Sequence, residues 1–157
     1  MIKAFFLSAV LAAPVLGADK SSAPPIYDME SDGVRAIETG ARFCAKSGHR
    51  LIINFGTNDC DTCRVVSRVM QEPKFHEALV NDFFPVFVDV TPGTKNAELL
   101  KRFRIDASKG LPAIVICDEN MKATIALQKG EMAAMAKKGD REVELWFLSK
   151  FPQSKNR

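Results

Sequence analysis

The run Leu51-Ile-Ile-Asn-Phe-Gly56 passes through a short loop into Cys60-Asp-Thr-Cys63, and a helical pattern follows from Arg64 to Gln71. The apolar run reads as a fully buried strand, which places the two cysteines at a strand-to-helix turn. A Cys that opens a helix faces unpaired backbone N–H groups and the positive end of the helix dipole, and both favour thiolate over thiol. The second Cys, one turn further in, lies on the same side and within disulfide reach. Attack by the Cys60 thiolate on a disulfide gives a mixed disulfide that Cys63 can resolve intramolecularly.

The same cysteines invite a zinc reading, because His76 follows Cys63 at zinc-finger spacing. The fourth ligand belongs three to five residues further on, where Val80, Asn81 and Asp82 stand, so the ligand set is incomplete and no metal is expected. His49 and His76 read as solvated helix or loop residues.

Residues 1 to 18 carry Lys3, an apolar run from Ala4 to Leu16 and the small pair Gly17-Ala18, the pattern of a secretory signal peptide. The run is too short to span a bilayer, and no later segment is long enough. A cleaved, periplasmic or secreted chain is expected, with residues 19 to 29 as a flexible lead-in, one domain over 30 to 151 and a tail at 152 to 157. About 139 residues then remain of the 157, enough for one hydrophobic core. Without Lys3 the formal charge falls from +3 to +2, and the basic residues are scattered. The pairs Lys101-Arg102 and Lys137-Lys138 read as solvated helix surface, so nucleic acid is not indicated. No glycine-rich phosphate loop occurs, and no cofactor is expected.

The other two cysteines fall at core positions: Cys44 on a helical pattern with Val34, Ile37 and Ala41, and Cys117 at the end of the apolar strand Ala113-Ile-Val-Ile-Cys117. Two readings stand, a pair of buried free thiols or a Cys44–Cys117 bridge. The first is favoured, because free Cys is among the most buried side chains.

The order of elements predicts a helix over 30–46 ended by Ser47-Gly48, a strand over 51–55, a helix over 61–71 broken at Pro73 and resumed over 75–80, and a strand over 84–90. A helix over 96–103, strands over 112–117 and 122–127 and a closing helix over 140–151 complete it. The first two strands, joined by a helix, should be parallel through a right-handed crossover. Asp118-Glu-Asn-Met121 should form the hairpin between the last strands, with Asn120 as the left-handed residue.

This order, with Cys-x-x-Cys at the first strand-to-helix turn and Leu111-Pro112 opening the third strand, resembles the thioredoxin superfamily, and most closely its exported bacterial members. The stretches Arg50 to Cys63, Phe87-Val-Asp-Val90, Lys109 to Ile116 and Asp118-Glu-Asn120 carry the likeness. It implies an α/β fold with a central mixed four-stranded sheet flanked by helices. Cys60 would be the exposed nucleophile, Cys63 the shielded resolving thiol and Pro112 a cis proline facing them. Leu111 would offer its backbone to a substrate peptide. Thioredoxins usually have Trp before the first Cys, Gly-Pro between the cysteines and a buried Asp in the first strand. Here Asp59, Asp61-Thr62 and Asn54 occupy those places. The two carboxylates oppose a thiolate at Cys60, the Thr62 hydroxyl can partly offset them, and Asn54 cannot take up a proton at neutral pH.

The expected function is therefore an exported thiol–disulfide oxidoreductase, working on protein disulfides in the reducing or isomerising direction. Exported proteins with disulfides would be its substrates, a membrane thiol-transfer protein its electron donor, and the chain a monomer. The alternative is a non-catalytic peptide-binding module in which Cys60–Cys63 is a static staple. A copper- or haem-delivery chaperone is disfavoured because no Met or His adjoins the cysteine motif.

Overall fold

The computed structural model describes residues 24–94, 96–118, 120–127 and 131–150. The expected leader, Phe151 and the tail lie outside them. The elements run α1 (Gly33–Ser47), β1 (Arg50–Gly56), α2 (Asp61–Gln71), α3 (Pro73–Asp82), β2 (Phe83–Asp89), α4 (Ala97–Arg102), β3 (Ala113–Cys117), β4 (Ala123–Leu127), α5 (Glu131–Lys138) and α6 (Asp140–Lys150). The strands form one sheet in the order β2-β1-β3-β4, with β1 and β2 parallel and the other pairs antiparallel. This is the mixed four-stranded sheet that the sequence implies.

Because successive side chains of a strand point to opposite faces, the apolar run of β1 supplies two cores at once. Leu51, Ile53 and Phe55 pack with Ile37 and Cys44 of α1, Leu99 of α4 and Val115 of β3. Ile52 packs on the other face with Val66, Val69 and Met70 of α2, Phe75 and Leu79 of α3, and Val143 and Phe147 of α6. Each such fully buried side chain contributes about 1.5–3 kcal/mol of transfer free energy.

The starts of two helices differ from those read in the sequence, each for a local reason. Helix α1 starts at Gly33, because the Asp32 carboxylate accepts the Arg35 N–H at 3.1 Å and so fixes the cap. Buried Asn96 secures the entry by accepting the Gly33 N–H at 2.9 Å and donating to the Ser31 carbonyl at 3.0 Å. Gly48, at φ 73°, closes the helix as expected. Helix α3 starts at Pro73, which suits a first helical position.

In the β3–β4 hairpin the left-handed residue is Met121, at φ 61°, and not Asn120. The Asp118 carboxylate accepts from the Asn120 and Lys122 N–H groups at 3.0 and 2.9 Å, which sets the turn, while Met121 packs against the core in compensation. Helix α5 was not foreseen; its Met132 is buried, and Gly139 at φ 118° follows its end. The stretch read as a flexible lead-in contains Tyr27, which is only 1% exposed.

Strand β2 is one edge of the sheet. Just past its end the Val90 N–H donates to the Gly56 carbonyl at 3.0 Å, which sets the phase of the ladder. The even-numbered residues of β2 thus turn their amides toward β1, and the odd-numbered ones, Pro85 among them, turn away.

Candidate active site

The loop 57–59 carries the chain from the end of β1 to Cys60, which has extended backbone (φ −90°, ψ 107°) and is the N-cap of α2. Its sulfur receives the Cys63 N–H at 3.1 Å, the contact by which a helix N-terminus supports a thiolate. Cys60 and Cys63 are joined in a disulfide, their Cα atoms 5.1 Å apart. The two sulfurs differ in access: Cys63 is fully buried, whereas Cys60 is only partly so.

The resemblance implies that Leu111 and Pro112 face the cysteines, and the structure brings them there. The Leu111–Pro112 peptide bond is cis, and the Leu111 carbonyl oxygen lies 3.6 Å from Cys60 Sγ. Asp59 and Asp61 flank Cys60 and are exposed, so water and salt screen them strongly. Asp61, in the first turn of α2, also favours the helix by complementing its dipole. In the disulfide state the Thr62 hydroxyl has no hydrogen bond to either sulfur among the described residues.

Asn54 is fully buried and both ends of its amide are occupied. Its Oδ1 accepts the Tyr27 hydroxyl at 3.1 Å, and its Nδ2 points at Met70 Sδ, 3.6 Å away. Burial, and secondarily the Asp89 carboxylate, push the Tyr27 hydroxyl far above its ordinary pKa, so it stays a neutral donor. No pattern in the sequence singles out Tyr27 or Asn58, the residue that holds its backbone. The available hints were that Tyr27 is the only tyrosine and that a glycine, Gly56, ends a buried strand.

Cys44 and Cys117 are free and buried, in agreement with the favoured reading. Burial raises the pKa of both, and that of Cys117 reaches about 11, with the Asp118 carboxylate as a lesser cause. Neither is a competing nucleophile at neutral pH. His76 Nδ1 lies 3.1 Å from the Met70 carbonyl, and His49 lies against Phe43 with Nδ1 2.8 Å from Ser47 Oγ. Among the described residues no three metal-ligating side chains converge.

A disulfide takes part in exchange only where an incoming sulfur can reach one of its atoms, and here one sulfur is partly open while its partner is sealed behind it. Set at the mouth of this sheet and facing a cis proline, that asymmetry is the working arrangement of a thiol–disulfide oxidoreductase. The chain belongs to the thioredoxin-like family, whose profile matches residues 32–119. Its fold is similar to that of a disulphide isomerase from Xylella fastidiosa Temecula1, with a TM-score of 0.73 at 22% identity over 80% of this chain and 95% of that one. The C-terminal domain of Neisseria meningitidis DsbD in its oxidised form is also similar, with a TM-score of 0.52 at 18% identity over 74% of this chain and 94% of that one. Its reduced form gives 0.51 at 18% identity, over 75% and 96% of the two chains. No curated protein matches the sequence.

Proposed function

We propose that the protein is an exported thiol–disulfide oxidoreductase that reduces or isomerises disulfides of other exported proteins. The observation that carries the reading is the difference in access between the two sulfurs, with the Leu111 carbonyl beside the open one. Cys60 is the nucleophile: its thiolate attacks one sulfur of a substrate disulfide, and the other leaves as a thiolate and takes a proton from water. The Cys63 thiol then gives up its proton and attacks Cys60 Sγ, releasing the second substrate thiol. Two electrons and two protons pass from the dithiol to the substrate. The Leu111 carbonyl accepts a hydrogen bond from extended substrate backbone, which demands little of substrate sequence.

The acidic flanks of Cys60 act only weakly through water, and their sign is against a strongly oxidising couple, in keeping with the reducing or isomerising direction. The likeness of fold to a protein described as a disulphide isomerase is in keeping with it too. Working as a reductase outside the cell membrane, the protein needs electrons delivered across it, and a membrane thiol-transfer protein is the donor of the required kind. The N-terminal pattern at 1–18 is the basis for export.

The test is reduction of insulin by dithiothreitol with the purified protein. Cys60→Ser is expected to abolish the acceleration, and Cys63→Ser to accumulate mixed disulfides through Cys60. Full activity in Cys60→Ser would overturn the assignment. A wild-type disulfide that fails to equilibrate with glutathione within minutes would indicate a static staple instead.

A further inference from the structure

Asn58 stands two residues before Cys60, and its amide grips the backbone of a segment more than thirty residues away in sequence. Oδ1 accepts the N–H groups of Ile26 at 2.9 Å and Tyr27 at 3.1 Å, and Nδ2 donates to the Tyr27 carbonyl at 2.9 Å. One side chain thus pairs with two residues much as a strand neighbour would. The Tyr27 ring then lies over Gly56, where any Cβ would collide with the ring and its hydroxyl, so glycine is required there for space. The ring also meets Phe87 of β2 edge-on, with centroids 6.1 Å apart, and its hydroxyl bonds Asn54.

The segment therefore touches β1 at Asn54 and Gly56 and the loop at Asn58, and Asn54 in turn meets Met70 of α2. We propose that Pro24 to Tyr27 form a strap that positions the dithiol, with Asn58 and Tyr27 as its positioning residues. The proposal rests on the reading that Cys60 is the attacking sulfur, and it adds what holds that sulfur at the N-cap of α2. A loop released from the strap lets Cys60 drift from the Cys63 N–H, so its thiolate loses support. The same drift lowers the effective concentration of the Cys63 thiol at Cys60. In exchange with glutathione, two glutathione thiols pass two electrons and two protons to the Cys60–Cys63 disulfide and leave as glutathione disulfide. Below the Cys60 pKa, where the dithiol is fully protonated and the lost thiolate support does not enter, loosening the loop shifts that equilibrium toward the dithiol.

The experiment compares wild type, Asn58→Ala and Tyr27→Phe by two readouts taken on folded protein. They are the pH midpoint of Cys60 alkylation by iodoacetamide and, at a pH below that midpoint, the equilibrium constant with glutathione. Asn58→Ala is expected to raise the midpoint by about half to one pH unit and to move the equilibrium about 3- to 10-fold toward the dithiol. Tyr27→Phe, which keeps the ring and loses only the hydroxyl, is expected to move both in the same direction by about 2-fold. If Asn58→Ala does not fold, Tyr27→Phe decides alone. Variants that only lower the urea midpoint, with alkylation and glutathione equilibrium as in wild type, overturn the proposal and leave the strap a structural prop. Failure of the underlying reading shows separately, as wild-type insulin reduction that survives Cys60→Ser.

Discussion

At the scale of single residues, Asn54 is where this site departs furthest from the pattern its family resemblance implies. The amide is sealed from water and held by Tyr27 on one side and Met70 on the other, so it contributes shape and no proton. Asn54→Asp would place a carboxyl in that enclosure, and burial should raise its pKa well above the usual carboxylate range. A group whose pKa is higher folded than unfolded stabilises the fold below its unfolded pKa, and that contribution is lost as pH rises through the folded value. Asn54→Asp should therefore be close to wild type in stability near pH 4 and weaker by about 1–3 kcal/mol at pH 7, measured by urea unfolding. Equal stability loss at both pH values would show that the new carboxyl stays solvated. The placement of Cys60 and Cys63 was legible in the motif spacing and element order, and that of Leu111 and Pro112 in the family resemblance. Tyr27 and Asn58 were not, because their pairing exists only once two distant segments meet.

Among the elements, those with one strong local signal were the legible ones. The span of α2 follows from its cysteine cap and apolar spacing, and that of β1 from its unbroken apolar run. Helix α5, rich in Ala and Met, is hard to read in the sequence because no Ser, Thr, Asp or Asn stands where its cap would be, although Gly139 marks its end. The hairpin's left-handed residue was misread because turn propensity favours Asn, while the Asp118 carboxylate and the packing of Met121 decide it. The start of α1 was placed too early for a related reason: Asp32 supplies the cap hydrogen bond, and residues before it are outside the helix. Asp32→Ala is expected to destabilise the protein by about 1 kcal/mol, since the Arg35 N–H loses its partner. Urea midpoints measure this, and no change would mean that Asn96 alone holds the entry to α1.

On the scale of the whole molecule, three acids among the described residues are buried in their neutral forms: Cys44, Cys117 and Tyr27. All three have raised folded pKa values, so each stabilises the fold below its unfolded pKa and ceases to as pH climbs through the folded one. The unfolded values are about 8.5 for cysteine and about 10 for tyrosine. As far as these groups go, the urea midpoint should hold level from pH 6 to 8 and then decline from about pH 9, the first share coming from the thiols. Cys117→Ala should flatten the fall between about pH 9 and the Cys117 value of about 11, at the expense of a lower starting stability. A midpoint that stays level to pH 11 in the wild type would contradict the burial assigned to these thiols. Among the described residues no strand pairs with the outer side of β2, and that bears on behaviour at high concentration. An unpaired strand edge is a template on which a second chain can build, and one of its inner rungs here is Pro85, which has no N–H to offer. A visiting strand would find its row of bonds broken at that rung, so the fold discourages fibre growth from this side without help from any other protein.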